Sequence, residues 1–495
     1  MNTIIGDLGK SQKFVDLIKQ IENKTSPILI SGLTGVGMVQ IISGINTYAK
    51  KPIAIITYNE IQAKQIIENL QNFTDKAIFF PNQDLRLFTW IYFTDKAIFF
   101  PKKEIVTYDY IAESKDLPYE RIETLNQIVQ KRLPIVVTTI EALMQKIPSK
   151  ETLYKNRLEL KIGKTYSLEE IKQKLVNLGY IRCDLIEGKG EFSVRGDILD
   201  ISLDDKTGIR VEFWGDEVDS IRKFAIASQR SINTLDKIEI NPAHEYILER
   251  QIEEIIGKIR NKVVKEKQEE ILEEDIEQIK AGNYISKIDK YFDCFYKNQS
   301  TLLEYFSDNY IIAIDEESKI EQRAKNIIQD NINLSKSLIE KEKIVPEAIE
   351  NIQKYDILQE KIENRKSLIY LEKQDILLKK QAEKYDFKYR EVNYYKSEIE
   401  NLFKDLKTSI KENKDIYILV SSKDKAKKLQ ETLEKEEIVA KIEENLDKTI
   451  IVKSKEKVIT IGIGKLTEGF ENYEINQLVI SAEDLIEGKR RNFLN

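Results

Sequence analysis

The sequence predicts an α/β protein. A parallel-sheet domain with a degenerate phosphate-binding loop carries an α+β insertion domain and is followed by a second small α/β domain. Three observations predict this. Short apolar runs alternate with helical patterns over the first 150 residues, as in a sheet covered by helices on both faces. From about residue 155 to 240 the texture becomes alternating, as in antiparallel strands with one wet face. After a charged, helix-rich stretch, strand and helix patterns resume to the end.

In chain order, PILI (27–30) and IAIIT (53–57) are buried strands bounded by turn residues. Ile61, Ile66, Ile67 and Leu70 mark a helix. PYERIETLNQIV (118–129) is a helix with Pro118 at its start, and IVVTT (135–139) is a further strand. In GIRVEFWGDEVDSIRKF, Ile209, Val211 and Phe213 take one face and leave Arg210, Glu212 and Trp214 on the other, with WGDE as a hairpin turn. Ile252, Ile255, Ile256, Ile259, Val263 and Val264 form a helical stripe. YIIAID (310–315) is a strand. The last block is read as LIYL (368–371), DIYILV (415–420), a helix over 423–435, and strands at 458–464 and 475–481. The expected division is 1–154, an insertion over 155–245, 246–335 completing the first domain, a helical linker 336–366, and 367–495.

Composition bounds the function. A chain of 495 residues suits two to four domains. With 41% hydrophobic and 33% charged residues it is globular, and a net charge of −6 offers no global attraction for nucleic acid. Two cysteines, Cys183 and Cys294, and one histidine, His244, exclude a disulfide framework, a zinc site or a histidine triad. No apolar run nears the roughly 20 residues of a membrane span, and no signal peptide opens the chain, so a cytoplasmic location is expected. No cofactor is expected.

SGLTGVGMVQ (31–40) lies where a strand meets a helix. Against G-x-x-x-x-G-K-[ST], Gly32 and Gly37 fit, but Met38 takes the lysine slot and Val39 the hydroxyl slot. The cation for the phosphates and the oxygen for Mg²⁺ are both missing. On these residues alone the stretch is a generic tight turn or a dead phosphate loop. Asp315 and Glu316 at the end of YIIAID have the form of a Walker B element, although strands ending in acids are common.

The insertion carries the most specific pattern. Gly179, Tyr180 and Arg182 are followed by Gly190, Phe192, Val194, Arg195, Gly196 and Asp197, then by Arg210 to Glu217. These residues resemble domain 2 of the excision-repair protein UvrB and of the bacterial transcription-repair coupling factors. IFFPKKEIVTYD, PYERIETL and KLTEGFENYEINQLVIS resemble the coupling factors more closely, as does the loop without its lysine. The resemblance implies a RecA/UvrB-like first domain, an insertion that binds UvrA, and a final domain of the kind called D3. It implies UvrA contacts at Arg182, Arg195, Arg210 and Glu212, with Phe192 in the same motif; a further UvrB arginine is replaced by Ser193.

It implies a non-catalytic adaptor in transcription-coupled nucleotide excision repair. RNA polymerase and DNA would be contacted only through the polymerase-binding domain and the motor, which the family has, with an autoinhibitory domain, beyond this chain. The alternatives are an ATP-dependent translocase or helicase, which Met38 and Val39 oppose, and a UvrB-like damaged-DNA binder. Only a short link with Tyr108 and Tyr110 precedes the helix at 118, so UvrB's DNA-gripping hairpin is expected to be missing. His244 reads as structural, Trp214 as an anchor or a solvated turn residue, and GKRRN (488–492) as the start of a linker.

FTDKAIFFP occurs at 73–81 and again at 93–101. One recurrence cannot build a stacked repeat, which needs about three units. It reads as a tandem duplication equivalent to 73–92 without its own function, in which two identical strands compete for one slot.

Overall fold

A computed structural model describes residues 3–73, 97–102, 117–130, 135–202, 204–243, 245, 247, 251–261, 266–280, 291–296, 298–340, 352–376, 381–392, 395, 399–443, 458–482 and 485. The first domain is built on a seven-stranded, wholly parallel sheet. Its order is Glu383–Asp386, Ile28–Ser31, Leu368–Leu371, Ile311–Asp315, Ile53–Thr57, Ile135–Thr139, Ala97–Phe100. The central strands are buried along their whole length because helices cover both faces. One apolar core lies on each side, around Leu29, Ala54 and Val136 on one and Ile28, Ile55 and Val137 on the other.

Two sequence expectations differ here. Leu368–Leu371, read as the opening strand of the last block, lies instead between the Ile28 and Ile311 strands of the first sheet. An isolated four-residue apolar run carries no mark of the sheet that takes it. The stretch 336–366, read as a linker, buries Leu358 and Ile362 of helix Tyr355–Glu363 in the first core, and Ile352 bridges to Gln145.

The second copy of the duplicated motif supplies the edge strand Ala97–Phe100, paired to Ile135–Thr138. Of the first copy, Phe73 ends helix Glu60–Phe73, and 74–81 lie outside the described residues.

The insertion leaves and rejoins the first domain through a two-stranded ribbon, Leu158–Lys161 against Lys237–Ile240. It comprises helix Leu168–Asn177 and a six-stranded sheet ordered Ser231–Thr234, Glu217–Ala225, Thr207–Trp214, Ile198–Ser202, Glu191–Arg195, Ile181–Arg182. Leu199, Ile201, Ile209, Val211 and Phe213 form its core. Gly190, with φ +73°, meets the ring of Tyr119 from helix Leu117–Val129, where a Cβ would stand 2.3 Å from the hydroxyl. That helix therefore braces the insertion.

The last domain has a six-stranded mixed sheet ordered Tyr389–Glu391, Phe470–Asn472, Gln477–Ser481, Asp415–Val420, Ile459–Ile463, Ala440–Glu443. Tyr417, Leu466, Phe470 and Val479 join the core of the first domain. Among the described residues no helix is long and apolar enough to cross a membrane.

Candidate partner face and degenerate phosphate loop

The outer face of the insertion sheet gathers Arg195 and Arg210, whereas Arg182 stands in register with Phe192 and so on the opposite face. Alternation sends Leu199 and Ile201 inward and Asp200 outward, with Arg210 directly opposite on the next strand. Asp200 Oδ1 accepts from Arg210 Nε at 2.7 Å, and Oδ2 accepts from Arg210 Nη2 at 2.8 Å and Arg195 Nη2 at 3.2 Å. Arg210 also donates to Gln229 Oε1 at 2.8 Å and lies over the Phe224 ring. Hydrogen bonding to Asp200 raises the pKa of this guanidinium further. Glu212 accepts from Ser220 Oγ at 2.8 Å and pairs with Arg222.

Exposure then separates the expected contacts. Arg182 is exposed on the edge strand and Arg195 is 53% exposed, whereas Arg210 is largely enclosed. Trp214 is 85% exposed at the hairpin tip. Phe192 requires a correction: it is fully buried in the insertion core beside Leu199 and Ile201 and cannot touch a partner. Its parity with Val194, opposite to Arg195, is the sequence signal that marks it as inward. Ser193 is buried and donates to the Asp184 carbonyl at 2.7 Å, so it has become part of the loop packing. Asp200 and Arg222 were missed by sequence reasoning, although the same parity places both on this face.

The loop between strand Ile28–Ser31 and the following helix is a tight, capped turn. Gly32 has φ +72°, and Thr34 caps helix Gly35–Ala49 by accepting from the Gly37 N–H. What surrounds it is new. Val36 to Ile45 are all buried, because the helix is sandwiched between the first sheet and the last domain. Met38 and Val39 thus serve the core.

The chain from Asp386 to Tyr389 runs across the loop, its N–H groups at Phe387 and Tyr389 donating to the Ser31 and Gly32 carbonyls. A Cβ at Gly37 would stand 2.5 Å from the Tyr389 ring, one at Gly32 2.9 Å from an Asp386 carboxylate oxygen, and one at Gly35 3.0 Å from a Glu468 carboxylate oxygen. An aromatic ring and two acids therefore flank the loop, a poor setting for phosphate.

Asp315 and Glu316 diverge. Asp315 is buried, accepts from Thr57 Oγ1 at 2.8 Å and Gln62 Nε2 at 3.3 Å, and is pushed up to about 6 mainly by burial. Glu316, with φ +58°, turns to Lys319. Glu372, on the neighbouring strand's continuation, is pushed up to about 7 by burial, although it accepts from the Glu317 N–H. Among the described residues no group of three or more His, Cys, Asp or Glu could hold a metal. His244, Tyr108, Tyr110 and residues 488–492 lie outside the described residues.

Residues 158–246 match the family model described as the UvrB interaction domain. The chain is 28% identical over 360 residues to the transcription-repair-coupling factor of Bacillus subtilis (strain 168), covering 70% of this chain and 29% of that protein. It is 23% identical over 503 residues to that of Staphylococcus aureus (strain bovine RF122 / ET3-1), covering 99% of this chain and 40% of the relative. The factor from strain USA300 is 23% identical over 507 residues, with the same coverage. The chain thus spans well under half the length of these relatives. The resemblance read from the insertion motifs and their flanks agrees with both comparisons.

Proposed function

We propose that this chain, which carries a UvrB interaction domain and resembles transcription-repair-coupling factors along nearly its whole length, is a non-catalytic adaptor that recruits UvrA in transcription-coupled nucleotide excision repair. The observation that carries this reading is the outer face of the insertion sheet. There Arg195 and Arg210 close over the buried Asp200 carboxylate, with Trp214 exposed at the end of the Arg210 strand, all within the matched residues. Guanidinium groups suit such a role because they bind carboxylates bidentately and remain charged when desolvated.

In this proposal the first domain supports the face and does not turn over nucleotide. Its support is the use of Met38 and Val39 as core residues and the approach of Tyr389 to the loop. ATP-driven translocation and contact with RNA polymerase and DNA are assigned to parts of the longer relatives outside the matched region.

Calorimetric titration of UvrA into this chain and into its Arg195→Ala variant tests the reading. Micromolar or tighter binding, weakened at least tenfold by the variant (about 1.4 kcal/mol), is expected. A folded chain that does not bind UvrA, or that hydrolyses ATP, would sink it.

A further inference from the structure

We propose that Asp200 is the positioning residue of this face: its buried carboxylate fixes the Arg195 guanidinium so that the unused edge of Arg195 meets a carboxylate on the partner. The inference rests on the UvrA-binding reading and adds to it a residue and the chemistry that the face recognises.

Asp200 points outward from the sheet, yet its side chain is only 2% exposed. It is roofed by two arginines, one from each neighbouring strand. A lone carboxylate so enclosed would be costly, but three guanidinium N–H groups satisfy it. Its two partners are not equivalent. Arg210 spends its Nε and Nη2 on Asp200, shares Nη2 with Gln229, and lies with its Cζ 4.5 Å from the centre of the Phe224 ring. Its Nε and Nη2 are thus committed within the insertion.

Arg195 makes a single hydrogen bond among the described residues, from Nη2 to Asp200. Of the five N–H donors of a guanidinium, the others are left to solvent on a side chain that is 53% exposed. One tether at Nη2 restrains the group without using it up.

Charge sets what can dock there. Two arginines on one aspartate leave a net positive centre, while the neighbouring Glu212–Arg222 pair is neutral. Glu212 is already held by Arg222 and Ser220, so it steadies the face and does not reach for a cation. The complementary group is a carboxylate, taken by the free edge of Arg195. An arginine already oriented loses less conformational freedom on binding than a free one. Asp200 therefore acts through Arg195 without touching the partner.

The test is a double-mutant cycle in the full chain, with calorimetric binding to UvrA and thermal unfolding of every variant. Asp200→Asn keeps the side chain's shape and removes its charge. It is expected to weaken binding at least tenfold in the wild-type background but less than twofold further in Arg195→Ala. A purely structural role predicts a lower melting temperature with independent, multiplying effects on binding; that result, or unchanged affinity, overturns the proposal.

If wild type binds and Arg195→Ala weakens it while Asp200→Asn does not, the UvrA reading survives and this inference alone fails. If wild type does not bind, both fail. Should Asp200→Asn not fold, ¹⁵N-arginine NMR of the wild-type chain decides. Restricted rotation of the Arg195 guanidinium is expected, and free rotation overturns the proposal.

Discussion

Tyr389 presses its ring onto Gly37, so closely that a Cβ at position 37 would stand 2.5 Å from Cδ1. Its hydroxyl donates to Gln40 Oε1 at 2.6 Å and accepts from Asn472 Nδ2 at 2.8 Å. Gln40 in turn donates to Gln477 and to the Ile4 carbonyl. Residues from the phosphate-loop helix, the crossing strap and the last sheet thus share one buried polar network. Satisfied networks of this kind fix a unique packing. The last domain is seated by the loop's own glycine.

Gly37→Ala tests that seat. In an open helix the change would stabilise by about 1 kcal/mol through helix propensity. Here the ring is held by two hydrogen bonds and by packing on Phe470, so overpacking of roughly 1–3 kcal/mol should win. A lower melting temperature is expected, and a higher one would show that Tyr389 yields.

Restoring the consensus residues should not restore the chemistry. The double variant Met38→Lys, Val39→Thr places a cation and a hydroxyl at buried core positions, 4% and 1% exposed. Loss of stability without gain of ATP binding is expected, measured by thermal unfolding with and without Mg-ATP. A nucleotide-induced rise in melting temperature would contradict it.

Arg121 and Glu245 form a buried ion pair, Nη2 to Oε1 at 3.0 Å, where the chain leaves the insertion. The guanidinium also donates to the Pro101 carbonyl and to Gln145, and lies over the Phe100 ring. Arg121→Ala strands a buried carboxylate and should cost about 3–5 kcal/mol in chemical denaturation. Glu245→Gln in the same background should recover part of the loss; no recovery would place the cost in the other contacts of Arg121.

Phe192 and Trp214 should behave oppositely. Phe192→Ala opens a cavity in the insertion core and should destabilise by about 3–5 kcal/mol. Trp214→Ala removes an 85% exposed side chain and should change stability by no more than about 0.5 kcal/mol. Denaturation of both variants checks the pair, and a stable Phe192→Ala would mean that Phe192 does not carry the insertion core.

These residues show what a sequence holds and what it leaves out. Period-2 alternation places Arg195, Asp200 and Arg210 on one face and Phe192 on the other, so the partner face is legible from parity once the strands are known. The strand and helix at 415–420 and 423–435 were legible too, since each is an uninterrupted local pattern. The sheet that receives Leu368–Leu371 was not, because parallel pairing joins residues far apart in the chain. The contact of Tyr389 with the loop helix was equally hidden: Tyr389 and Gln40 are 349 residues apart, and nothing local in either predicts the other.

The acids at the carboxyl ends of the first sheet give the fold a pH dependence of definite sign. Asp315 is pushed up to about 6 and Glu372 to about 7, in both cases mainly by burial. Their folded values exceed the unfolded ones near 4, so the native state binds more protons between about pH 4 and 7. By linkage, their contribution to stability is fully present below the unfolded values and is lost as pH rises through the folded ones. Asp315→Asn removes the ionising group while its carboxamide oxygen can still accept from Thr57. Compared with wild type, the variant should be relatively more stable at pH 8 than at pH 4, by roughly 1–3 kcal/mol at about 1.4 kcal/mol per pKa unit. Denaturation at pH 4, 6 and 8 measures the difference between the two proteins at each pH. A difference that does not change with pH would mean that Asp315 titrates in the fold as it does in the unfolded chain.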